Sequence, residues 1–203
     1  MRKFAKYITI TFAFIFLVYS AGLLADKQKL QEDLIRLHVV ANSDSDYDQT
    51  VKLQVRDAIT EYLNTAIEKL SDKHEVMHYL QSHLIEIEEV ANQALEAANI
   101  NDRANVTLKK EAFDARYYDT FKLPAGVYDS LRVEIGEGKG RNWWCVVFPS
   151  LCLPATGTGF QDTAVSAGFD ETLTGTLSGN EKYEIRFFLL DCMGRLENFF
   201  FYK

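Results

Sequence analysis

The sequence predicts an α+β domain: a mixed sheet with two long helices between its first and second strands, a β-hairpin region and a C-terminal helix, all behind an apolar N-terminal segment. Three observations predict it. Short runs rich in β-branched and aromatic residues, most of them alternating with polar ones, recur at 34–41, 106–113, 128–135 and 142–148. Between the first two lie residues 48–98, where apolar positions fall three or four apart as on one face of a helix. The composition is globular: 203 residues, 47% hydrophobic and 25% charged, enough for one well-filled core and no more than one ordinary domain.

The first 25 residues stand apart. Arg2, Lys3 and Lys6 precede an uncharged run from Ile8 to Ala25. This is the layout of a secretory signal. Ser20-Ala21-Gly22 and Leu23-Leu24-Ala25 are the small-residue cleavage candidates, and neither makes a strict A-x-A. The run also meets the lower length limit of a membrane span, so residues 1–25 are read as a signal peptide or a signal anchor with its basic end inside. No Cys lies near it, which excludes a lipoprotein anchor. Residues 26–203 form the single exported domain.

Each element of that domain has its own warrant. In Leu34–Ala41, Leu37, Val39 and Ala41 alternate with Arg36, His38 and Val40, as in a strand. Ser45-x-x-Asp48 resembles a capping box ahead of a helix over 48–70, whose stripe is Val51, Val55, Ile59, Tyr62, Ala66 and Leu70. A second helix is expected over 72–98, with the stripe Val76, Leu80, Leu84, Ile87, Ala91, Ala94 and Ala98. Strands follow at 106–113 and 128–135, separated by a Leu123-Pro124-Ala125-Gly126 turn. Gly136 to Gly140 reads as a tight hairpin into NWWCVVF, residues 142–148, a strand apolar on both faces and therefore central, or with one face reserved for a partner. Residues 154–180 are rich in Gly, Thr and Ser and read as a flexible loop. Ile185, Phe188, Leu189, Cys192, Leu196 and Phe199 recur at helical spacing, giving a C-terminal helix, with a strand over 183–190 as its rival.

Charge and cysteine usage narrow the function. The formal net charge is −7. Without residues 1–25 it is more negative still, so general attraction to nucleic acid or anionic lipid is excluded, and the membrane is met only through the N-terminal segment. Cys145 and Cys152 are candidates for a disulfide contributing roughly 2–3 kcal/mol, with two buried thiols as the alternative. Cys192 is left as a thiol on the C-terminal stripe.

Three motifs invite chemistry. His74-Glu75-Val76-Met77-His78 matches the H-E-x-x-H zinc pattern, in which two His hold the metal and Glu activates water. Helical steps of 100° place His74, Glu75 and His78 opposite the apolar stripe, on the solvated face, and the extended motif fails at Gln81 and Leu84. Asp44, Asp46 and Asp48 open like a calcium loop, but Gln49 and Val55 stand where Gly and Glu are required. The Gly136–Gly140 run lacks phosphate-loop spacing. No cofactor, metal site or small-molecule substrate is expected, and no catalytic residues; a secreted zinc hydrolase and a cell-surface interaction domain stand as the alternative functions.

Two long stretches carry more. Leu37-His-Val-Val-Ala-Asn-Ser-Asp-Ser45, with Asp48, Gln49 and Lys52 to Ala58, resembles the N-terminal motif of the stage II sporulation protein R family. Leu123-Pro-Ala-Gly-x-Tyr128, running through Ile135-Gly-Glu-Gly-Lys-Gly140 to Asn142-Trp-Trp-Cys-Val-Val-Phe-Pro149 and Leu151-Cys152, resembles its second. The resemblance implies a non-enzymatic signal of endospore formation. Such a protein is exported across the forespore membrane into the space facing the mother cell, where it triggers the membrane-bound protease SpoIIGA to process the sigma factor E precursor.

The candidate partner-interface residues rest on physical grounds. Asn42, Ser43 and Asp44 end a strand at a helix start, where polar groups are held rigidly. Lys52 and Arg56 lie one helical turn apart and offer positive charge. Trp143 and Trp144 point to opposite faces of their strand, so at most one need be core. Capping, a surface ion pair and core packing are the competing structural roles.

Overall fold

The axis of the fold is β1 (Ile35–Val40), buried at every position. The computed structural model describes residues 2–70, 72–149, 160–166 and 168–201. β1 pairs in parallel with β5 (Gly126–Ile135) and antiparallel with β6 (Asn142–Phe148), while β2 (Ala104–Phe113) pairs antiparallel with β5. The sheet order is β2-β5-β1-β6. A two-residue ladder of β3 (Arg116–Tyr117) and β4 (Lys122–Leu123) forms a separate small hairpin.

One sheet face is apolar except at one end, where Asp129 pairs with Lys110 and with Lys73. Ile35, Leu37 and Val39 of β1, Leu131, Val133 and Ile135 of β5, and Cys145 and Val147 of β6 meet α2 (Asp46–Ile67), α3 (Lys73–Ser82) and α4 (Leu84–Ala97). Ser45 caps α2: its side chain accepts from the Asp48 amide at 3.1 Å, a contact worth about 1 kcal/mol. The single helix expected over 72–98 is broken at His83. The Ser82 hydroxyl donates back to the His78 and Tyr79 carbonyls, and the His83 ring stacks on Tyr79 at 4.0 Å. These local bonds compete with the helical ladder.

The other face carries a second core of Leu30, Leu34, Phe113, Phe121, Tyr128 and Val146, covered by α5 (Phe160–Ser166) and α6 (Glu171–Leu177). The loop expected over 154–180 is thus helical at 160–166 and 171–177, with Phe160, Phe169, Leu173 and Leu177 buried; its start at 154–159 lies outside the described residues. Short helices of Thr, Gly and Ser have too few apolar positions to show a period.

α7 (Glu184–Phe201) confirms the C-terminal helix, but its buried face is not the expected one. Phe187, Leu190, Asp191 and Gly194 face inward. The close approach decides this: a Cβ on Gly194 would lie 1.6 Å from the Ala125 carbonyl oxygen, so only Gly lets the helix sit on the turn before β5. Asp191 accepts from the Ala125 amide at 2.9 Å, and Asn198 donates to the Phe113 carbonyl at 2.8 Å. α1 (Arg2–Asp33) runs unbroken across the boundary expected at residue 25. Leu23, Asp26 and Leu30 pack into the domain, while Phe12 and Phe16 are 69% and 73% exposed. By length and composition α1 can cross a membrane.

Candidate functional site

Two loops meet where β1 ends. β5 and β6 do not form the expected hairpin, because β1 lies between them. The Gly136–Arg141 connection therefore crosses the end of β1 and is bonded to the Asn42–Asp44 loop along its length. Asn42 Oδ1 accepts from the Glu137 amide at 2.9 Å, the Ala41 carbonyl accepts from Gly140 at 2.9 Å, and Asp44 Oδ1 accepts from Arg141 at 2.6 Å. A Cβ on Gly140 would sit 2.2 Å from the Ser43 carbonyl oxygen, and one on Gly136 2.4 Å from Asn42 Oδ1. Gly136 also takes a positive φ of 57°.

The first turns of α2 close this clasp. Asp48 accepts from the Ser43 hydroxyl and, at 3.4 Å, from the Asn42 amide. So the Asp48 carboxylate joins the clasp and leaves the capping box half-formed. Gln49 Nε2 donates to the Ser43 carbonyl at 2.9 Å. Lys52 Nζ donates to Gln49 Oε1 at 2.7 Å and to the Arg141 carbonyl at 3.1 Å. Lys52 is 5% exposed, and burial, aided by the Arg141 and Arg56 charges, lowers its pKa. It ties the clasp from within and offers no surface charge. Arg56 lies over the Trp143 ring at 4.7 Å and donates to Asp57. Asp44 is exposed, and Asn42 and Ser43 are half-buried.

Trp143 and Trp144 do lie on opposite faces, Trp143 against the helix-side core and Trp144 against the second. Their strand is an edge strand, not a central one; both its faces are apolar because a core lies on each side. Cys145 is buried in it and takes part in a disulfide. The expected partner, Cys152, lies outside the described residues. Cys192 is a half-buried free thiol. His74, Glu75 and His78 are exposed on α3, opposite the buried Val76 and Leu80. Among the described residues, no group of three His, Cys, Asp or Glu is placed to hold a metal.

Behind Trp144 lies a charged layer that sequence reasoning missed. His38 stacks on Trp144 at 5.5 Å, and its Nδ1 lies 3.1 Å from Glu111 Oε2. Arg132 Nη1 donates to Glu111 Oε1 at 2.9 Å. Burial favours the neutral Glu111 carboxyl, but the His38 hydrogen bond and the Arg132 charge outweigh it and hold the pKa at about 2. Arg36 is fully buried between Phe113 (4.0 Å) and Tyr128 (5.3 Å) and donates to the Tyr118 hydroxyl at 3.1 Å. Arg116 covers Trp144 at 3.5 Å. His38 and Glu111 are 7% and 8% exposed, so the pair is placed to fix β1 against β2 and β5, not to meet a substrate. The available signal was the charged residues at alternate positions of β1 (Arg36, His38) and β5 (Arg132, Glu134), with Glu111 on β2.

The clasp joins the two sequence motifs, and known proteins match over both. The family model for stage II sporulation protein R covers residues 31–157. A relative bearing that name, from Bacillus subtilis (strain 168), is 34% identical over 160 residues, covering 73% of this chain and 71% of its own. No solved structure matches the chain. A family match from β1 through β6, with a relative aligned over most of both chains, settles the kinship: the chain belongs to the stage II sporulation protein R family.

Proposed function

We propose that this protein is an exported signal of endospore formation that triggers the membrane-bound protease SpoIIGA to process the sigma factor E precursor. The observation that carries the reading is family membership over residues 31–157, the stretch that contains both halves of the clasp. The basic residues and apolar helix at the N-terminus supply a route across the forespore membrane. The protease activity then belongs to the partner, and this chain supplies a rigid surface.

The receptor-facing part of that surface is the clasp and its surroundings. Asn42, Ser43 and Asp44 are held by backbone bonds on two sides, which limits the entropy lost on binding. Arg56 and Trp143 lie beside them and provide a cation and an aromatic anchor of the type enriched at binding hot spots. Lys52 acts from beneath. Deletion of the gene in its native host is the test. Cells are expected to reach asymmetric division and stall there with the precursor unprocessed; normal processing in the deletion strain contradicts the reading.

A further inference from the structure

β2 is an edge strand, and its outer edge is covered over only part of its length. The ladder with β5 fixes which backbone groups point outward. Gly136 donates to the Arg103 carbonyl at 2.9 Å, so in this register odd-numbered residues bond to β5 and even-numbered ones face away. α4 serves the first two. Asn92 Oδ1 accepts from the Ala104 amide at 2.9 Å, and Glu88 Oε2 accepts from the Val106 amide at 3.1 Å. One turn before Glu88 the helix begins, at Leu84, whose side chain has no acceptor. Among the described residues, nothing accepts from the outward amides of Leu108, Lys110 and Ala112.

These amides alternate with outward carbonyls at strand spacing. Only another extended backbone offers acceptors and donors at the same repeat. The flanking charges say which kind. Lys109 and Lys110 are exposed, and the carboxylates nearest them are already held by other cations. Lys110 lies 3.5 Å from Asp129, which pairs with Lys73 at 2.6 Å. Lys109 lies 4.0 Å from Glu111, which pairs with Arg132 at 2.9 Å. The two lysines are therefore surplus positive charge on an acidic protein. Strand alternation sets them on opposite faces, so each meets its own residue of an incoming strand. A second copy of β2, paired antiparallel about residue 109 or residue 110, sets a lysine against the same lysine, which is repulsive. Two adjacent carboxylates on the incoming strand make both positions attractive. Beside Lys110 and Val127, the residue that faces Ala112 across the ladder, opens a groove of about 540 Å³ lined also by Phe200 and Phe201. It gives room to an apolar side chain next to the acidic pair.

We propose that residues 108–112 of β2 are a docking edge for an extended acidic segment of a partner polypeptide, which adds to the sheet as a strand beside β2. The site lies on the opposite edge of the sheet from β6 and its Trp143, and it goes beyond the signalling role proposed above.

The test is amide hydrogen exchange of the full chain in phosphatidylcholine nanodiscs, with and without a peptide probe. The probe is a capped peptide of Val and Thr around a central Glu-Glu pair; its control carries Lys-Lys instead. Leu108, Lys110 and Ala112 are expected to exchange fast in the chain alone and at least about ten-fold more slowly with the Glu-Glu probe. The amides at 107, 109 and 111 should not change, and the Lys-Lys probe should protect none. Lys110→Pro removes a donor that the fold does not use, so thermal unfolding should stay nearly unchanged while protection at 108 and 112 is lost. If that variant does not fold, Lys109→Glu combined with Lys110→Glu decides: protection must switch to the Lys-Lys probe. The proposal is overturned by no protection from the Glu-Glu probe, by equal protection from both probes, or by charge reversal without a switch. Slow exchange at 108, 110 and 112 in the chain alone also overturns it, and dependence of that protection on protein concentration would assign the edge to a second copy.

Discussion

Glu111 shows how a carboxylate holds a charged layer inside a sheet. Its pKa of about 2 lies below the ordinary 4.5, so its contribution is complete above about pH 4.5 and is lost as pH falls toward 2. Replacing it by Gln is expected to cost about 2–3 kcal/mol at pH 7. The gap to wild type should narrow as pH falls from 4.5 to 2, measured by urea unfolding at both ends. A gap that does not change with pH contradicts the assignment. This layer was hidden in the sequence because polar positions alternating with apolar ones read as a solvated face. Here both faces are covered, and Arg36, His38 and Arg132 point into the second core. Trp143 and Trp144, by contrast, were correctly placed on opposite faces, since strand alternation fixes direction whatever covers each side.

Among the elements, the clasp makes the sharpest prediction. Gly140→Ala puts a methyl group against the Ser43 carbonyl, which is backbone and cannot swing aside. A loss of about 2–3 kcal/mol in stability is expected, while Lys139→Ala on the same loop, at an exposed position, should change it by less than about 0.5 kcal/mol. Equal effects from the two, in thermal or urea unfolding, would show that the loops are not locked. Local periodicity was enough to find β1, α2, β2, β5 and β6 within a few residues. It was not enough to find their neighbours. The Gly-rich run looked like a hairpin because β5 and β6 are adjacent in sequence; the insertion of β1 between them is a long-range pairing with no local trace. For α7 the helix was legible and its orientation was not. Burying the most apolar stripe is the default expectation, and the Gly194 contact with Ala125 overrides it.

At the scale of the whole molecule, β1 joins the two functional ends. It leaves α1 at Leu34 and reaches the clasp after Val40, so the clasp lies at the end of the strand away from the apolar N-terminal helix. His74, Glu75 and His78 lie on the exposed side of α3, outside this axis. The most direct measurement of the central claim is precursor processing in the native host lacking its own copy, complemented with the wild-type gene or with Glu75→Ala. Both are expected to restore cleavage of the sigma factor E precursor to the same extent. Failure of both, with each protein exported and folded, would contradict the signalling reading, and restoration by the wild type alone would move the chemistry to Glu75.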